Sequence, residues 1–315
     1  MIDETATRVA VTAGDLEPAR YRAAQSYWSE SWERLRGNRV GVFTGGVLVL
    51  LALIAIAAPF VSASVTHFQP TQQDLANNFS GFTKLHLLGT DELGRDTLTR
   101  LVWGSRISLG IGFLTVLLYI LIGATVGLAA GFYGGYVDDG LMRFVDVILS
   151  IPAIYLLILI TSILPLPIGP LKIQHDALSI SVIIAITAWG GVARLVRGEV
   201  LGVKSRDFIL ATRSIGASDF RIISRHLVPN VLPVMIVAAS LGVGQIILLE
   251  AALDFIGLGV QPPVPSWGNM LFNSQSYFFH STSLVFLPGL AIVIAVLAAN
   301  IFGNAVRDAY DPRLK

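Results

Sequence analysis

Six stretches of this chain are apolar for long enough to cross a lipid bilayer: residues 41–61, 107–132, 142–164, 179–196, 232–258 and 283–302. A helix rises about 1.5 Å per residue, so roughly 20 apolar residues cover the ~30 Å hydrocarbon core. In lipid a spanning segment must satisfy its own backbone hydrogen bonds, and a helix does so. Of the 315 residues 54% are hydrophobic and only 14% charged, whereas an average soluble domain carries about 25% charge. The sequence therefore predicts an all-α membrane protein with six transmembrane helices, rather than a soluble protein with unusually apolar core helices.

The first apolar run begins only near Val40 and is long enough to span. Although Ala57, Ala58 and the Ser-Ala-Ser of 62–64 resemble a cleavage site, the expectation is an uncleaved anchor. Placing both termini in the cytoplasm puts 17 of the 22 Lys and Arg residues on inner segments and 5 on outer ones, as the positive-inside rule requires. On this basis the chain divides into a disordered cytoplasmic tail (1–25), an amphipathic helix with the first span and an outer loop (26–105), a transmembrane core (106–303) and a cytoplasmic C-terminal tail (304–315). Residues 26–39 interleave Trp28, Trp32 and Leu35 with Arg34, Arg36 and Arg39, which suits a helix lying in the headgroup layer. Gly123, Gly127 and Gly131 recur every fourth residue and offer a smooth strip to another helix. Static packing is expected there, with a moving contact as the functional alternative.

Several chemistries are excluded or unsupported. There is no cysteine, hence no disulfide framework and no thiolate. A formal net charge of +1 gives no basic excess suited to nucleic acid. The five histidines lack metal-ligand spacing, and neither a nucleophile elbow nor a zinc-protease motif occurs. No glycine-rich loop followed by Lys and Ser or Thr is present, so any ATP must be bound by another chain.

The most patterned polar segment lies between the fourth and fifth expected spans. Phe208, Thr212 and Ile215 fall on one helical face, Gly216 supplies a left-handed stop and Ser218 can cap a second helix. In that second helix Phe220, Ile223 and Leu227 repeat the apolar face, and Pro229 is expected to end it. The result is an elbow over about residues 205–229, rimmed by Arg206, Arg213, Arg221 and Arg225. Its apolar residues need cover. A soluble partner and an anionic lipid surface both fit.

Elsewhere, Glu250 and Asp254 sit four apart in the fifth span, hence on one face. They are candidates for the translocation path or an outer gate, or else they hydrogen-bond to neighbouring helices or lie at the interface. Asp146 is expected to pair with Arg143 one turn earlier. Asp91, Glu92, Arg95 and Asp96 suit either docking of a soluble protein or, as the favoured expectation, a solvated turn. Pro262, Pro263 and Pro265 followed by Trp267 make a rigid outer loop with an aromatic anchor.

Residues 208–230, FILATRSIGASDFRIISRHLVPN, resemble the cytoplasmic signature loop of permeases in binding-protein-dependent ABC importers. Ala211, Gly216 and Pro229 match its pattern, while Leu210 and Thr212 stand where the pattern has Glu and a second Ala. HLLGTDELGRD (86–96), GFYGGYVDD (131–139), EAALDFIGLGVQPPVPSWGNM (250–270) and RDAYDPRLK (307–315) are similar to the second, C-type permease subunit of the dipeptide, oligopeptide and nickel importer family. The resemblance implies a type I importer transmembrane fold in a bacterial or archaeal cytoplasmic membrane. It implies pairing with a homologous permease, two ATPase subunits that bind ATP and Mg²⁺, and an external binding protein that delivers peptides. No cofactor or metal is then expected in this chain. It assigns the ATPase-coupling elbow to Phe208, Leu210, Ala211, Thr212, Ile215, Gly216, Ala217, Ser218, Asp219 and Arg221. The alternative is an ion-gradient-driven secondary transporter or channel, whose hallmark internal repeats do not stand out.

Overall fold

The structure is a computed structural model that describes residues 27–168, 171–272 and 274–311. The expected tail of residues 1–25, the side chain of Trp28 and the last four residues of the chain lie outside the described residues.

The polypeptide opens with α1 (Tyr27–Gly37), in which Arg36 lies over the Trp32 ring at 4.9 Å. Asn38 ends α1 and caps the next helix, α2 (Arg39–Ile56), accepting from Gly41 N at 2.9 Å. This first span stops short of the expected residue 61. After it come α3 (Ala58–Val61), with a proline in its first turn, and a π-helical turn, Ser62–Thr66. Asp96 then caps α4 (Thr97–Tyr133), a 37-residue helix at the centre of the molecule. At a rise of about 1.5 Å per residue it is longer than the bilayer core is thick.

The third and fourth expected spans are each broken. The third consists of α5 (Gly135–Ser150) and α6 (Ala153–Ser162), bent by 81° where Ile151 and Pro152 leave the helix. Proline has no N–H to donate and biases the residue before it away from the helical region. A short antiparallel hairpin follows, β1 (Leu166–Ile168) with β2 (Leu171–Ile173), in an otherwise helical fold. The fourth span is α7 (Ala177–Ala188) and α8 (Gly190–Lys204), bent by 48° at Trp189. Beyond it lie α9 (Asp207–Ser214), α10 (Asp219–Ile222), a π-helical turn Ile223–Leu227 and α11 (Val228–Phe255). A loop carrying α12 (Ser274–Tyr277) leads to α13 (Ser283–Tyr310).

Pro229 does not end the second elbow helix. It sits in the first turn of α11, directly after the π-helical turn, so the helix runs unbroken from Asp219 to Phe255. A π turn shifts the hydrogen-bond ladder by one residue and leaves room where a proline has no bond to make.

The core is the packing of α4 against α7, α8 and α11. A Cβ added at Gly123, Gly127 or Gly131 would lie 2.7 Å from Val192 Cβ, 2.5 Å from Ala193 O and 2.7 Å from Val200 Cγ1. The glycine strip therefore lets α8 lie almost backbone to backbone on α4. α1 is tied to the far end of the chain by Arg34, which donates to Asp311 O at 3.0 Å. Both described chain ends thus lie at the end of the bundle that carries α9 and α10.

Candidate functional site

Helix α9 ends in a Schellman arrangement. Gly216 N donates to Arg213 O at 3.0 Å, Ala217 N donates to Thr212 O at 3.3 Å, and Gly216 has φ +82°. Only glycine takes that conformation without strain. Ser218 occupies the cap position of α10, but its hydroxyl makes no capping bond; only its carbonyl enters the helix, accepting from Ile222 N at 3.0 Å.

The elbow has two apolar faces where the sequence pattern suggested one. Ile209, Ile222 and Leu227 are fully buried against the ends of the spans. Leu227, expected on the outer face, belongs to this inner anchor, because the π turn rotates it inward. Phe208, Leu210, Ile215 and Phe220 point outward with relative exposures of 41, 53, 85 and 80%. Ala211, Ser218, Asp219 and Arg221 are exposed beside them, while Thr212 and Ala217 are half-buried. Ile209 and Ile222 were missed by periodicity: with helices of eight and four residues, two faces cannot be told apart by spacing alone.

The elbow is bolted to the bundle by cations. Lys204 Nζ donates to Phe132 O at 2.5 Å and lies 5.8 Å from the Phe132 ring, and Arg213 sits over the same ring at 5.4 Å. Positive charge at the last carbonyls of α4 is favourable for the helix dipole. Next to it Arg197 grips Asp138 of α5 through two bonds of 2.5 and 2.6 Å. Asp146 pairs with Arg194 of α8 and not with Arg143, because α5 presents that side to α8.

At the opposite end Glu250 and Asp254 are completely buried. Asp254 Oδ1 accepts from Val260 N at 2.6 Å, and its Oδ2 accepts from the Ser266 hydroxyl. Ser108 of α4 donates to Glu250 Oε1 at 3.2 Å and accepts from Trp267 N at 3.1 Å. The Trp267 indole, also buried, donates to Leu101 O at 3.0 Å. Asp254 thus holds the 256–269 loop directly, whereas Glu250 reaches it only through Ser108, and Glu250 Oε2 is buried without a hydrogen-bond partner.

The acidic and basic cluster around Asp91 is not a solvated turn. Asp91, Arg95, Asp96 and Arg100 are all buried. Asp91 accepts from Arg95 N at 2.9 Å and from Arg95 Nε at 2.6 Å, with Arg100 Nε at 3.3 Å. Asp96 receives His86 Nδ1 at 3.1 Å while capping α4. The sequence shows these charges but not the loops that fold over them: Thr90 pairs with Asp96, and Asp74 N donates to Leu93 O at 3.1 Å.

Broken and continuous apolar helices, with an amphipathic elbow at one end of the bundle and tightly bonded loops at the other, define a multi-pass membrane protein. A family model described as binding-protein-dependent transport system inner membrane component matches residues 123–315, and one for the N-terminal TM domain of oligopeptide transport permease C matches residues 26–85. The dipeptide transport system permease protein DppC of Alkalihalophilus pseudofirmus is 37% identical, over 95% of this chain and 94% of its own. The glutathione transport system permease protein GsiD of Pectobacterium atrosepticum is 36% identical over 94% of both chains. The oligopeptide permease OppC of Bacillus subtilis is 34% identical over 97% and 96%. Among solved structures, an inward-facing MetNI methionine ABC transporter aligns with a TM-score of 0.51 and 22% identity, over 67% of this chain and 97% of that one, a likeness of fold. The chain belongs to the family of binding-protein-dependent transport system inner membrane components. It is a multi-pass permease subunit of an ABC importer and not itself an ATPase.

Proposed function

We propose that this permease forms half of a translocation pore for di- or oligopeptides, and that the elbow of residues 205–229 is the seat of an ATPase subunit. The observation that carries the reading is the outward quartet Phe208, Leu210, Ile215 and Phe220, mounted on a helix–glycine–helix beyond the ends of the spans and ringed by four arginines. A ridge of that kind fits an apolar cleft on a soluble partner. Leu210, where the family pattern has Glu, makes the contact apolar at that position. ATP and Mg²⁺ bind to two partner ATPases, a homologous permease supplies the other half of the pore, and an external binding protein delivers the peptide. Both termini and the elbow face the cytoplasm, in keeping with the Lys and Arg distribution. Peptides are favoured as solute because dipeptide and oligopeptide permeases stand among the relatives that match nearly the whole chain. The division into an N-terminal part of 26–105 and a core of 106–303 follows the same reading. Glu250 and Asp254 belong to the outer gate as holders of its loop.

The test is Gly216→Ile. A β-branched residue held at φ +82° costs about 1–3 kcal/mol, enough to weaken ATPase docking about fivefold or more. The variant should insert normally, lose ATPase on purification and lose ATP-driven uptake of labelled dipeptide in proteoliposomes. Wild-type uptake in that variant sinks the reading.

A further inference from the structure

Glu250 and Asp254 lie on the same unbroken helix as the second arm of the elbow. From Asp219 to Phe255 the chain is one continuous helix of 37 residues, through α10, the π turn and α11, and it runs on through the internal Pro233. At its outer end Asp254 does more than cap. Its carboxylate binds Val260 N and the Ser266 hydroxyl, and that hydroxyl accepts from Asn269 N at 3.0 Å. Asn269 in turn donates to Val260 O at 3.1 Å and Val264 O at 2.7 Å. The loop is wrapped so tightly on the carboxylate that a Cβ at Gly259 or Gly268 would lie 1.6 Å from Asp254 Oδ1 or 2.6 Å from Asp254 Cβ. What this leaves exposed is a short tip, Gln261, Pro262, Pro263 and Val264, stiffened by two prolines and by Gln261 N donating to His175 O at 3.1 Å. The opposite flank of the same loop, at Asn269 and Met270, lines a cavity of about 30 Å³ with Asp91, Arg95, Thr97 and Arg100.

We propose that Asp254 is a positioning residue that makes the 261–264 tip the far arm of the elbow's own helix, so that the outer loop and the ATPase seat move as one body. The helix spans roughly 45 Å between residues 224 and 254 at about 1.5 Å per residue, and the clamp removes the joint at its end. The proposal rests on the elbow reading for the source of the motion. A displacement forced on α10 is then delivered to the tip without loss in a flexible loop, and a contact made at the tip is felt at the elbow by the same route.

The chain has no cysteine, so paired labels are introduced directly. With spin labels at Ser224→Cys and Val264→Cys in the assembled complex, the interspin distance should stay narrow and unchanged between the nucleotide-free state and the state trapped with ATP, Mg²⁺ and vanadate. Adding Asp254→Asn, or Ser266→Ala on the loop side, should broaden the distribution. Both variants should still copurify with the ATPase, while the ATP hydrolysed per labelled dipeptide imported rises at least about fivefold. A role in folding alone would lower hydrolysis and import together and leave that ratio fixed. A wild-type distance that shifts on trapping, or a wild-type ratio in both variants, overturns the proposal. Failure of the wild-type chain to hold an ATPase at all would instead strike the elbow reading beneath it.

Discussion

At the scale of single residues, the strongest constraints come from groups with no room or no water. Asp91 holds Arg95 and Arg100, and removing it as Asp91→Ala leaves the buried Arg100 without its ion-pair partner and Arg95 with Glu92 alone. Such a break costs about 3–5 kcal/mol, so the detergent-solubilised variant should melt well below wild type and gain little from added salt. The Asp146–Arg194 pair is more than half exposed on both sides, where ion pairs contribute about 0–1 kcal/mol. Asp146→Ala should therefore melt within a few degrees of wild type. Gly127→Val places carbon 2.5 Å from Ala193 O and 2.8 Å from Val196 Cβ, against backbone that has no way to yield. A loss of at least about 1–3 kcal/mol is expected from this overpacking, read as a lower melting temperature and a weakened grip of α8 on α4. The charged residues of the outer loops were visible in the sequence, yet their burial was not. Spacing along a chain says that Asp91 and Arg95 can meet, and only the fold of residues 67–96 decides whether water meets them too.

Among the elements, breaks matter more than lengths. Apolar length located every span, but it could not distinguish one straight helix from two bent pieces, since both bury the same residues in lipid. The bend at Ile151–Pro152 had a proline to announce it, whereas the one at Trp189 did not. Pro229 carried the opposite lesson. In a helix interior a proline costs about 3 kcal/mol or more, but here the π turn before it has already displaced the ladder. Pro229→Ala should then change the melting temperature by no more than a few degrees. Deleting Ser224 to restore an α-helical register should turn the elbow by about 100° relative to α11, one residue's share of a 3.6-residue turn. Uptake should fall to background while the protein still inserts. An intact uptake rate in the deletion variant would show that the π turn has no part in aiming the elbow.

For the whole molecule, the two ends of the bundle have different characters. One gathers both described chain ends, the arginine-rimmed elbow and the lysine grip on α4. The other joins the 171–176 and 256–272 segments by bonds from His175 to Leu258 and Gln261, and brings Phe79 against Tyr277 and His280. Proposed sidedness follows from this grouping and can be read with a membrane-impermeant maleimide. Ile215→Cys should label only in inverted vesicles and Val264→Cys only in right-side-out ones. Labelling of both from one side would reject the proposed topology.

The sequence alone determined that this chain lives in a bilayer, where its spans lie and where it bends at Gly216, because transfer of apolar length into lipid and the left-handed preference of glycine are local properties. Tertiary structure decided which face of the elbow is anchored and which is free, that the outer charges are buried, and that Asp254 holds a loop. These depend on what packs against each side chain, and neighbours brought together from opposite ends of the chain are not written in the spacing of either.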